Sequence, residues 1–183
     1  MTGCGYHAAS SEEKTTLSIP YVEGDSQGQL TAELVRQITN YGIYDFVKKD
    51  GDLTLKVSLV GDKNDIIGFQ YDLTEKKGKI ERNLMAQENR RIITAEVIVT
   101  RGCTEEIVMG PLNISASTDY DYIDVNSLKT VSFINDGKRE KTISFSLGQL
   151  DSIEGAQDAS LAPIYRQLAQ KIALALQRAN VTD

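Results

Sequence analysis

The sequence predicts an α+β fold: a two-layer sandwich with two amphipathic helices packed on one face of a mainly antiparallel four- to six-stranded sheet. Three observations predict it. Apolar residues recur at helical spacing around Leu30–Tyr41 and again around Leu161–Leu176. Between them lie runs in which every second residue is apolar, the period of a half-buried strand. The order is then strand, helix, several strands, helix, which segregates the helices from the strands in sequence.

Residues 15–22, Thr-Thr-Leu-Ser-Ile-Pro-Tyr-Val, alternate and read as an edge or end strand, because Pro20 has no N–H for a ladder. Gly24-Asp25-Ser26 breaks the chain and offers helix caps. Leu30, Leu34, Val35, Ile38 and Tyr41 form one helical stripe over roughly residues 27–41, and Gly42 stands at the C-cap. Leu53, Leu55, Val57 and Leu59 make the most regular strand. The polar stretch 61–65 reads as a turn, and Ile67, Phe69, Tyr71 and Leu73 as the second arm of a hairpin. After a polar connection over 75–91, Ile93, Ala95, Val97 and Val99 give another strand. Arg101-Gly102 mark a turn, and residues 106–117 give its partner. Residues 119–136 are less regular, and 142–147 make a last short strand. The closing helix starts at Ser160 and Pro163, with Leu161, Tyr165, Leu168, Ile172 and Leu176 on its apolar face. Residues 1–14 read as a tether, and 15–183 as a single α+β domain.

Composition narrows the function. A chain of 183 residues can bury roughly 70% of its unfolded surface, so it needs neither disulfides nor metal to fold. The formal charge of −6 argues against a nucleic-acid partner, which calls for a net basic face. No apolar run reaches the ~20 residues of a spanning helix. Cys4 and Cys103 form no CxxC pair, and with one histidine, His7, a zinc site of several Cys or His ligands is excluded by count. His7 falls in the tether and is read as solvated, which leaves no base for a hydrolase triad. There is no phosphate-binding glycine loop, and no cofactor is expected. Asp119, Asp121 and Asp124 have calcium-like spacing, but position twelve is Thr130 where an EF-hand has Glu; a solvated acidic turn is the better account. Cys103 follows a turn glycine and reads as a partly buried structural thiol, with no histidine to activate it.

Two features carry functional information. The first is Thr2-Gly3-Cys4, which is similar to the end of a bacterial lipoprotein signal, where small residues precede the cysteine that is lipidated. The hydrophobic stretch of that signal does not precede Cys4, so the expectation is a sequence cut at the processing site, with Met1 in place of the removed signal. The competing account is a chance cysteine in a frayed chain end. The second feature is charge. Residues 75–91 hold Lys76, Lys77, Lys79, Arg82, Arg90 and Arg91 against Glu75, Glu81 and Glu88, a local +3 in an acidic protein. Such a cluster can hold phosphate groups through charge-assisted hydrogen bonds. It equally suits a solvated hairpin end whose lysines keep strand edges from pairing.

The start Cys4-Gly5-Tyr6-His7 resembles the mature N-terminus of the lipopolysaccharide (LPS)-assembly lipoprotein family LptE. The resemblance continues through Leu17–Tyr21, the Leu30/Leu34/Ile38 stripe, Asp52–Val57, the segment Ser115-Ala116-Ser117-Thr118-Asp119-Tyr120-Asp121-Tyr122, and the closing helix Tyr165–Ala179. Residues 75–91 and 125–155 are longer than the family usually carries. The resemblance implies a non-enzymatic lipoprotein, lipidated at Cys4 and held in the outer membrane facing the periplasm. Its implied partners are an LptD-type β-barrel and LPS. The basic stretch is a charge-based candidate for LPS phosphates and is not inherited from the family. Two other readings stay open: an adaptor or pilotin-type chaperone of another outer-membrane complex, and a periplasmic enzyme working with carboxylates alone.

Overall fold

A computed structural model describes residues 14–76, 79–122, 132–141 and 153–179. The elements in order are β1 (Thr16–Ser18), α1 (Gln29–Tyr41), β2 (Asp45–Val47), β3 (Leu53–Lys76), β4 (Lys79–Arg101), β5 (Ile107–Asp121), β6 (Ser132–Asn135), β7 (Lys138–Lys141) and α2 (Ile153–Ala179). Five strands form one sheet in the order β2-β1-β3-β4-β5, and β6 pairs with β7 in a separate two-stranded sheet. No described helix is long and apolar enough to cross a membrane.

The sheet is mixed: its two long ladders are antiparallel, as expected, and its two short ones are parallel. β1 runs parallel to both β2 and β3, while β3–β4 and β4–β5 are antiparallel. The parallel side follows from α1, which lifts the chain out of β1 and returns it to β2 in the same direction, as a crossover connection must. β1 is therefore an interior strand and not an edge. Pro20 lies just beyond it, where its missing N–H disturbs no ladder. The sequence signal for β2 is short: three residues following the Gly42 cap.

α1 starts without a side-chain cap from its own N-cap, Gly28. Asp25 replaces it. Its carboxylate accepts from the Thr31 backbone N–H at 2.9 Å and from the Thr31 hydroxyl at 3.0 Å, and it is buried. The Thr31 hydroxyl also accepts from the Val22 N–H at 3.1 Å, which ties the helix start to the chain leaving β1. At the other end Gly42 has φ 63°, and its N–H reaches the Ile38 and Thr39 carbonyls.

The largest departure from expectation is the hairpin. The polar stretch 61–65 is not a turn, and residues 67–73 are not a returning arm. β3 runs straight on for 24 residues and β4 returns for 23. The register slips between Leu59 and Gly61 and again around Gly68. These bulges let the strand absorb extra residues without ending. Likewise, residues 75–91 are largely strand rather than a connection, and 119–121 close β5 rather than forming an acidic turn. Turn-forming residues lose their usual meaning here because a neighbouring strand already satisfies the backbone. In β5, Gly110 and Pro111 sit at a register shift on an edge strand, where proline is tolerated.

One core gathers the helix-facing residues. Leu55, Val57, Ile93, Ala95, Val97, Val99 and Ala116 from the sheet meet Leu30, Leu34 and Ile38 of α1 and Ile164, Leu168, Ile172 and Leu176 of α2. α2 begins ten residues before Pro163, at Ile153, so proline stands inside the helix and not at its start. The early turns are retained because Ala156 and Ser160 are buried in line with Ile164 and Leu168. The candidate strand at 142–147 lies outside the described residues, as do the N-terminal residues 1–13 and the last four, 180–183.

Candidate functional site

The basic stretch maps onto the far end of the β3–β4 hairpin. Lys76 closes β3 and pairs in register with Lys79, which opens β4, and Arg82 lies opposite Leu73. Lys77 lies outside the described residues, and for Lys76, Lys79 and Arg82 only the backbone is described. Lys76, Lys79 and Arg82 are thus brought to one end of the hairpin by backbone register alone.

Arg90 and Arg91 sit farther down β4 and have partners in the protein. Arg90 forks onto Asp119 of β5, directly opposite in register, with Nε and Nη2 at 2.7 and 2.8 Å from the two carboxylate oxygens. This pair holds the Asp119 carboxyl below its ordinary range and raises the guanidinium's affinity for its proton. Arg91 turns to the helix side. Its Nε and Nη2 donate to Asp62 of β3 at 3.0 and 2.6 Å, and its Nη1 donates to the Gln157 carbonyl of α2 at 2.7 Å. The hydrogen-bonded Asp62 carboxylate strengthens the guanidinium's hold on its proton, against a smaller opposing effect of burial.

Next to Arg91 on the same face is a small polar network. Asn89 Nδ2 donates to the Tyr120 hydroxyl at 3.3 Å, and that hydroxyl donates to Asn64 Oδ1 at 3.1 Å. Tyr120, Tyr122 and Ala156 form a second buried cluster apart from the main core, with the two rings 6.3 Å apart. Sequence reasoning missed Asp62, Asn64, Asn89 and Gln157 as members of one site. The signal that would have found them is register: Asn64 opposes Arg91, and Asn89 opposes Tyr120, once the hairpin is a continuous pair of long strands.

The remaining candidates separate from this site. Cys103 lies in the connection between β4 and β5 and is an exposed free thiol rather than a partly buried one. The turn residue beside it, Gly102, needs to be glycine, because a Cβ there would stand 2.0 Å from the Gly51 carbonyl oxygen. Cys4 and His7 lie outside the described residues, and so does Asp124. Among the described residues no cluster of three or more His, Cys, Asp or Glu is placed to hold a metal ion. A shallow groove between the helices is lined by Gln29, Glu33, Arg36, Tyr165 and Arg166. Within it Glu33 is already bound by Arg36 and by Gln37 Nε2 at 2.9 Å, which with the Arg36 bonds keeps its carboxyl below the ordinary range.

The family model for LptE, described as lipopolysaccharide-assembly, matches residues 15–176. Among solved structures, the chain is similar to a minor lipoprotein from Acinetobacter baumannii at 12% identity, covering 90% of this chain and 91% of that one with a TM-score of 0.46. It is also similar to rare lipoprotein B from Shewanella oneidensis, at 16% identity, 91% and 96% coverage and a TM-score of 0.43. A lipoprotein from Caulobacter crescentus, described as putative, aligns at 11% identity, 91% and 92% coverage and a TM-score of 0.49. No curated protein matches the chain.

Proposed function

This chain belongs to the LptE lipopolysaccharide-assembly family, and we propose from that premise that it is a non-enzymatic outer-membrane lipoprotein that partners an LptD-type β-barrel. The match of the family model over 15–176 carries the proposal, because it spans every described strand and most of α2. Cys4 is the proposed lipidation site, eleven residues before the matched region begins. Each buried methylene of an attached chain adds ~0.8 kcal/mol of membrane affinity, so several acyl chains hold a protein of this size at the membrane. The chain then faces the periplasm, with the α+β domain on a short tether.

LPS is the proposed second partner. An acidic protein meets an anionic lipid only through a local basic region. In this reading Lys76, Lys77, Lys79 and Arg82, at the far end of the hairpin, take the phosphates. A phosphate at Arg90 or Arg91 would have to share the guanidinium with Asp119 or Asp62.

The test is to express the lipidated, C-terminally tagged protein in its own host and identify what co-purifies from detergent-extracted outer membranes. A large β-barrel of the LptD type in stoichiometric amount is the expected result. A different secretion channel in its place would assign the chain as an adaptor or pilotin of another complex. Recovery of the tagged protein alone would remove the barrel partnership. Replacing Lys76, Lys77, Lys79 and Arg82 by alanine is expected to weaken LPS capture severalfold while barrel recovery stays the same. Unchanged capture would leave the basic stretch as a solvated strand end.

A further inference from the structure

We propose that Arg91 is a positioning residue, a three-way clamp that sets the direction in which the β3–β4 hairpin leaves the domain. Three elements meet at its guanidinium. Arg91 itself belongs to β4, Asp62 to β3, and the Gln157 carbonyl to α2. One guanidinium can do this because its donors lie in a rigid plane: two form the fork to the carboxylate and a third is left to reach the helix. A lysine in its place has neither the fork nor the reach in two directions at once.

The place of the clamp gives it its role. The main core ends at Ile93 and Ala116, which face each other in β4 and β5. Beyond that pair, among the described residues, the buried apolar contact with α2 is a small cluster of Tyr120 in β5, Tyr122 just after it and Ala156 in α2, with no member from β3 or β4. Among the described residues at this level, directional contacts therefore supply much of the hold between sheet and helix. Arg91 supplies a directional contact between β4 and α2, and the Asn89–Tyr120–Asn64 network ties all three strands at the same level. The Arg91 side chain is 13% exposed against 52% for Arg36 in an ordinary surface pair, so the guanidinium and its bond to Gln157 are shielded, while Asp62 at 47% leaves the fork partly open to water. Beyond the clamp the described part of β3 carries Ile66, Ile67 and Phe69, all exposed. The direction of this arm decides where its end is presented. That last consequence rests on the proposed LPS-assembly role; the clamp itself does not.

The experiment is a distance measurement. Spin labels are placed at Ile67→Cys on β3 beyond the clamp and at Leu174→Cys on α2, both exposed positions, in a full chain carrying Cys4→Ser and Cys103→Ser. The parent is expected to give one narrow distance distribution. Arg91→Met is expected to widen or shift that distribution, with Arg91→Lys in between. Amide exchange is followed in parallel. Residues 156–160 should exchange about tenfold faster in Arg91→Met, while Val97 and Val99 in the core stay within about twofold of the parent. An unchanged narrow distribution in a folded Arg91→Met protein overturns the proposal. Acceleration of exchange by the same factor everywhere does so too, since it marks a general loss of stability. None of these readouts involves the barrel or LPS, so failure of the clamp and failure of the functional reading are seen separately.

Discussion

Asp25 shows how much one side chain can organise. It lies three residues ahead of the α1 N-cap, yet its carboxylate satisfies the Thr31 N–H that a capping residue would ordinarily take. Asp25→Ala leaves that N–H and the Thr31 hydroxyl without their buried acceptor. A loss of ~1–2 kcal/mol in denaturant unfolding is expected. A loss below a few tenths would mean that water replaces the carboxylate. Cys103 makes a second prediction at this scale. Because the thiol is exposed, a maleimide should modify it fully in the native protein without denaturant. Protection from labelling until unfolding would contradict the exposed placement. Cys103 also shows the limit of reading a single residue: a cysteine after a turn glycine gives no sign of which way its side chain faces.

At the scale of elements, the two ends of α1 and the long hairpin were legible to different degrees. The α1 stripe and the Gly42 cap were both readable, since helical period and a left-handed C-cap are local properties. Gly42→Ala forces a side chain into φ 63° and is expected to cost ~1 kcal/mol by thermal or chemical unfolding. Gly102→Ala should cost more, because its Cβ has no room beside the Gly51 carbonyl. Equal effects of the two would show that the chain around Gly51 and Gly102 gives way easily. The hairpin departs from its sequence pattern for a physical reason. Residues 61–65 are the kind that make turns, and their alternation with Ile67, Phe69 and Tyr71 fits a second arm just as well as a continuation. Only pairing to β4, with bulges that take up the extra residues, decides between them. α2 starts ten residues before Pro163, although proline usually marks a helix's first turn. Here burial of Ala156 and Ser160 outweighs the bond that Pro163 cannot make.

For the whole molecule, stability should follow the core and the carboxylates. Leu168 is fully buried in the core that α2 shares with α1 and the sheet, so Leu168→Ala is expected to cost ~2–5 kcal/mol. Acid should act through Glu33, Asp52 and Asp119. Hydrogen bonds from Arg36, from Thr16 and from Arg90, respectively, hold these carboxyls below their ordinary values of 4.5, 3.8 and 3.8. A depressed carboxyl stabilises the fold above its unfolded pKa, and that contribution is lost as pH falls through the folded value. The melting temperature should therefore hold near neutrality and drop below about pH 4. Burial pushes the Tyr165 hydroxyl above its ordinary value of 10.0, so stability should also fall in alkali, beginning above about pH 10. A melting temperature that stays level into strong acid would show that the unfolded chain keeps the same ion pairs.

The α+β class, the two helical stripes, the alternation of the main strands and the acidic balance with one basic stretch are all legible in the order of residues. These are local periodicities and sums, and a chain carries them whatever its partners in space. The same order also carries the short motifs by which the chain resembles its family, Asp119-Tyr120-Asp121-Tyr122 among them, without saying what those residues do. That β1 is interior, that part of the sheet is parallel, and that β3 and β4 run on as one long hairpin emerge only once the strands have paired. The same is true of the partition of the basic stretch: Arg90 and Arg91 go to Asp119, Asp62 and Gln157, residues 29 to 66 positions away in the chain. Pairings of that range depend on strand register, and register is settled by which faces are buried and which bulges are tolerated, a property of the assembled sheet and not of any segment within it.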